Sequence, residues 1–74
     1  MRVSEFWQAV EDEFGPAYGQ VVTRDVVLGA VGGRSAADAL AAGVPARDVW
    51  EALCDAQDVP VGRRHGKGLR APRD

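Results

Sequence analysis

Apolar side chains recur at three- and four-residue spacing near the start of the chain, at Phe6, Trp7, Val10 and Phe14. That period gathers them on one face of a helix. Ser4 stands where a hydroxyl can cap the first turn, and Gly15-Pro16 supplies a stop. From Pro16 to Val31 the apolar positions Tyr18, Val21, Val22, Val26, Val27, Leu28 and Val31 are denser and less regular, with Gly19 and Gly29 weakening any continuous helix. One helix and two shorter pieces breaking near Thr23 fit this stretch equally well. The valine pairs would also permit a strand, but an isolated strand needs a partner and the chain offers none, so the segment reads as helix.

Gly32-Gly33 ends that segment, and Ser35-Ala36-Ala37-Asp38 has the form of a capping box opening a short helix from Ala36 to about Ala42. Gly43 closes it as a left-handed cap. Pro45 suits the first turn of a last helix that runs through Val49, Trp50, Leu53 and Ala56 and stops at Asp58-Val59-Pro60. Beyond it, Gly62 to Asp74 has three glycines, four arginines and one lysine, with Leu69 its one sizeable apolar side chain. Such a composition buries too little surface to order itself. The pattern predicts an all-α fold, a small bundle of four to five short helices with a helix-turn-helix-like hairpin. It divides the chain into an acidic helical domain over residues 1–59 and a disordered basic tail over 60–74.

Charge sharpens that division. Residues 1–59 set Arg2, Arg24, Arg34 and Arg47 against ten carboxylates, a formal charge of −6, while residues 60–74 set five basic groups against Asp74, giving +4. At 74 residues the chain makes one domain at most, and a domain this small buries only about 60% of its unfolded surface, so a stability of a few kcal/mol is expected. The single cysteine, Cys54, excludes an internal disulfide and a cysteine-rich zinc site, which fits a reducing cytoplasmic setting. No apolar run approaches the roughly 20 residues that span a bilayer, and the opening Met1-Arg2-Val3-Ser4-Glu5 lacks the apolar segment of a signal peptide.

Few residues suggest chemistry. Ser35 to Cys54 has helix-turn-helix punctuation: Ala39 is small where two helices approach, Gly43 makes the turn, and Val44, Val49 and Ala52 lie inside. Asp38 falls where an apolar residue is usual, and an acidic domain repels phosphate. A structural hairpin is therefore favoured over one that reads a DNA groove. In the groove-reading alternative, Arg47 would contact phosphate together with the tail's Arg63, Arg64, Lys67 and Arg70. The tail's plainer roles are to solubilise the chain or to fold back onto the acidic domain. Glu11-Asp12-Glu13 lies at the negative end of the first helix. Either Arg24 or Arg34 packs across from it, or it docks a basic partner. Three consecutive acids on a helix point about 100° apart and do not converge on a metal. Trp7 and Trp50 both belong to apolar stripes, although a domain this small has difficulty burying two indoles. His65 lies in the tail without a rigid frame, so catalysis is not expected, nor is any cofactor, metal or small-molecule substrate. The leading expectation is a non-enzymatic module that binds a protein partner through Trp50 and the Glu11, Asp12 and Glu13 patch.

One resemblance covers about residues 2–64. Asp12-Glu13-Phe14-Gly15 with Ala17-Tyr18-Gly19, Arg24-Asp25 with Val27-Leu28, Gly32-Gly33-Arg34-Ser35-Ala36, Gly43-Val44, Val49-Trp50 with Ala52-Leu53-Cys54, and Asp58-Val59-Pro60 occur in that order. In this the chain resembles an uncharacterised actinobacterial family of short helical proteins, often encoded beside recombinase A and its inhibitor. The resemblance implies a bacterial cytoplasmic protein connected with DNA recombination or repair. It implies no catalytic or binding residues.

Overall fold

The computed structural model describes residues 1–64, which form four α-helices: α1 (Val3–Phe14), α2 (Pro16–Arg24), α3 (Ala36–Ala41) and α4 (Ala46–Ala56). Short 3₁₀ turns stand at Gly29–Val31 and Val61–Arg63. Among the described residues there is no strand, only an isolated antiparallel bridge between Leu28 and Arg34. Helix α1 packs on α2 and α4, α2 on α3, and α3 on α4, so the helices close a ring. Phe6, Val10, Val22, Leu28, Val49, Trp50, Leu53 and Val59 fill its centre, with Ala9, Ala36 and Ala39 where backbones come close.

Helix α1 begins one turn position before Ser4. Its N-cap is Arg2, whose backbone N–H donates to Glu5 Oε1 at 2.7 Å, so a carboxylate satisfies one of the free N–H groups and the serine hydroxyl does not serve as the cap. At Gly15 the chain turns sharply and Pro16 opens α2, where a missing N–H costs nothing. Helix α2 stops at Arg24 and does not run on to Val31. The break comes after Thr23, whose buried hydroxyl donates to the Gly19 carbonyl at 2.8 Å. The following backbone finds its partners across a loop: Leu28 N–H donates to Arg34 O at 2.9 Å, and Gly33 N–H to Leu28 O at 3.0 Å. That loop turns Leu28 and Val31 inward.

Both helices of the hairpin end on the same motif. Ser35 Oγ accepts the Asp38 N–H at 3.2 Å and opens α3. At its far end Val44 N–H donates to Ala39 O and Gly43 N–H to Leu40 O, a Schellman cap for which Gly43 supplies φ of 93°. Pro45 then lies at the N-cap of α4, just outside the first turn. Helix α4 ends on a second Schellman cap, with Val59 N–H donating to Cys54 O and Asp58 N–H to Asp55 O. Here the left-handed position is held by Asp58 at φ 57°. This cap reverses the chain and lays Pro60–Arg64 against the bundle.

Composition assigns residues 60–64 to a solvated tail, but their arginines find carboxylates. Arg63 Nη2 stands 2.6 Å from Glu13 Oε2 and Arg64 Nη1 2.7 Å from Asp55 Oδ1. The order of the fold therefore continues to Arg64. Lys67 and Arg70, with the rest of the expected tail, lie outside the described residues.

Candidate functional site

The two tryptophans part company. Trp50 is 3% exposed, edge-on to Phe6 at 6.1 Å and to Phe14 at 6.4 Å between ring centroids, and its indole N–H donates to the Arg64 carbonyl. A buried indole with its polar atom satisfied is a core residue. The expectation that Trp50 presents a surface anchor is corrected accordingly: the Pro60–Arg64 segment covers it. Trp7 is 39% exposed, although its ring lies 5.1 Å from Phe6.

Trp7 forms one wall of a groove of about 440 Å³ between α1 and the start of α2. Its floor is Val10 and Gly19, and Gly15 and Pro16 close one end. The floor depends on Gly19, because a Cβ there would stand 2.8 Å from Val10 Cγ1. A β-branched neighbour gives way poorly, so only glycine lets the helices meet this closely. Ser4, Gln8, Glu11 and Gln20 line the groove with polar groups. Trp7 and Glu11 are four residues apart on one helical face, which places an aromatic surface and a carboxylate side by side. Val3, 51% exposed, continues this stripe toward the N-terminus.

The acidic triplet is divided among three settings. Glu11 lines the groove. Asp12 accepts from Gln8 Nε2 at 3.0 Å. Glu13 faces the opposite side and pairs with Arg63, so the cation at Glu13 is Arg63 in place of Arg24 or Arg34. Arg34 Nη1 instead approaches the Val31 carbonyl at 3.4 Å, within its own loop.

Hairpin α3–α4 presents Arg47, Asp48, Glu51 and Asp55 to solvent from α4, three acids against one base. Arg47 pairs with Glu51 at 3.4 Å, and Arg63 and Arg64 are engaged as described. Each of the three arginines thus already has a carboxylate beside it, which offsets the attraction of its guanidinium for phosphate. Cys54 is fully buried, and burial pushes its thiol up to about 12, offset in part by Arg64 and reinforced by Glu13. Such a thiol is a packing group and not a nucleophile. No cluster of three or more His, Cys, Asp or Glu suited to a metal occurs among the described residues, and none of the described helices is long and apolar enough to cross a membrane.

Sequence reasoning missed both the groove and the covering of Trp50. A signal for the groove was present: Val3 and Trp7 stand four residues apart beside the Phe6–Val10 stripe, so the apolar band is wider than the core needs, and Glu11 follows at the same spacing. Comparison with known families gives a match over residues 1–62 to a protein of unknown function, DUF3046. The chain belongs to this family. No curated protein and no solved structure matches it.

Proposed function

We propose that this DUF3046 protein is a non-enzymatic interaction module whose α1–α2 groove docks a protein segment carrying an apolar side chain flanked by basic residues. The observation that carries this reading is Trp7, a large aromatic left 39% exposed beside a preformed groove. Aromatic side chains in partly enclosed settings dominate binding energy at protein interfaces. Charge favours a basic partner, because Glu11 lines the groove and residues 1–64 hold ten acidic against six basic side chains. The resemblance to the recombinase-linked family supports a role for this module in DNA recombination or repair in the bacterial cytoplasm. Its contribution there is to bind a protein, not to read DNA.

Display selection of random peptides against the full chain tests the proposal. Selected sequences should pair an aromatic or aliphatic residue with Arg or Lys, and Trp7→Ala should weaken them about tenfold or more. Glu11→Lys should weaken them further, whereas Arg47→Ala should leave them unchanged. Selected peptides indifferent to Trp7→Ala would sink the proposal. Duplex DNA binding at physiological salt that is lost in Arg47→Ala would replace it with the hairpin reading.

A further inference from the structure

Pro60–Arg64 lies on the bundle without burying any side chain of its 3₁₀ turn, and Val61 is 77% exposed. Polar contacts hold it: Arg63 to Glu13, Arg64 to Asp55, and the Trp50 indole N–H to the Arg64 carbonyl. What it covers is the reverse in character. Trp50 is 3% exposed and the Glu13 side chain 12%. The cover is not flush, because a depression of about 600 Å³ lined by Met1, Glu5, Trp50, Val61 and Arg64 runs beside it.

We infer that Pro60–Arg64 is a releasable strap seated in a notch formed by Glu13, Asp55 and Trp50, and that this notch fits an arginine-bearing segment of a partner protein once the strap leaves. The chain's own Arg63-Arg64 shows the chemistry the notch selects. Two carboxylates accept from guanidinium groups, and an indole N–H donates to a backbone carbonyl. Each ion pair keeps one partner open to solvent, Arg63 at 63% and Asp55 at 71%, so salt reaches and screens it. The strap is therefore held loosely enough to exchange, while its release uncovers an aromatic and two carboxylates together. As a tethered ligand it competes at millimolar effective concentration, which keeps the notch closed to weak competitors. Neither Glu13 nor Trp50 lines the Trp7 groove, so this inference stands apart from the docking proposal.

The test uses the full chain with Trp7→Phe, so that Trp50 alone emits. Acrylamide quenching of Trp50 should rise about threefold or more between about 0.01 M and 1 M salt. In the same background Arg63→Glu with Arg64→Glu should give the high value at both salts. Adding the peptide Pro-Val-Gly-Arg-Arg at about millimolar concentration should restore shielding, and Pro-Val-Gly-Glu-Glu should not. Quenching that ignores both salt and charge reversal, with helical circular dichroism intact, would show the strap to be a fixed part of the core. Exposure that no arginine peptide reverses would overturn the receptor role. Should the charge-reversed chain not fold, the salt series in the Trp7→Phe protein decides: a flat response refutes the strap.

Discussion

Trp7 and Trp50 both stand edge-on to Phe6, yet one is left at the surface and the other sealed in the core. The difference arises from what lies on the far side of each ring. Trp50 is overlain by a segment that accepts its N–H and brings two arginines to neighbouring carboxylates. Trp7 has only the shallow groove that Gly19 permits. Similar positions on two apolar stripes thus become a structural residue and a candidate docking residue. A covering segment of five residues makes that distinction.

Truncation is the strongest way to break the comparison. Trp50→Ala should cost about 3–5 kcal/mol in a denaturant titration, enough to unfold a domain this small, while Trp7→Ala should cost less than about 1 kcal/mol. Equal losses would mean that the two rings are buried alike.

The Trp50 side should also carry an alkaline weakness that the Trp7 side lacks. Cys54 is held above its ordinary value of 9.0, at about 12, chiefly by burial. The folded state therefore keeps a proton that the unfolded chain gives up. The sign follows: its contribution is intact below pH 9 and declines as pH rises from about 9 toward 12. The loss should be on the order of 1–4 kcal/mol by chemical unfolding, and Cys54→Ala should flatten that part of the profile. A slope unaltered by Cys54→Ala would show that the thiol is hydrated.

On the groove side, Gly19→Ala sets a gain in helix propensity of at most about 1 kcal/mol against overpacking of Val10, which costs about 1–3 kcal/mol. Overpacking should win, lowering stability by about 1 kcal/mol and widening the α1–α2 separation. A stabilised variant would indicate that Val10 moves aside readily. The smallest effect concerns the turn that leads to the strap. Asp58→Gly relieves a left-handed aspartate and should raise the midpoint of thermal unfolding slightly, by about 0.5 kcal/mol in stability.

Much of this architecture was legible from local signals. The helix stop at Gly15-Pro16, the Ser35 cap and the Gly43 turn all emerged, because each depends on residues within one turn of it. The break after Arg24 was open in the sequence. Val26, Val27 and Leu28 extend an apolar run, and only the bridge to Arg34 settles their backbone. The covering of Trp50 was not legible, because the arginines of residues 63 and 64 resemble a solvated basic run until Glu13, fifty residues away from Arg63, comes beside it. Residues 60–64 thus belong with the helical domain, by ion pairing that composition does not reveal. The same long-range pairing makes Glu13 unavailable to a partner while the strap is seated, leaving Glu11 as the acid beside the exposed indole.

A backbone amide NMR titration of the full chain with a peptide selected for binding, at physiological salt, tests the division between the two tryptophans most directly. Shifts concentrated from Ser4 to Gln20, including the Trp7 indole N–H, with the Trp50 indole N–H unmoved, are the predicted result. Shifts centred on Arg47 to Asp55, or none along α1 and α2, would contradict it.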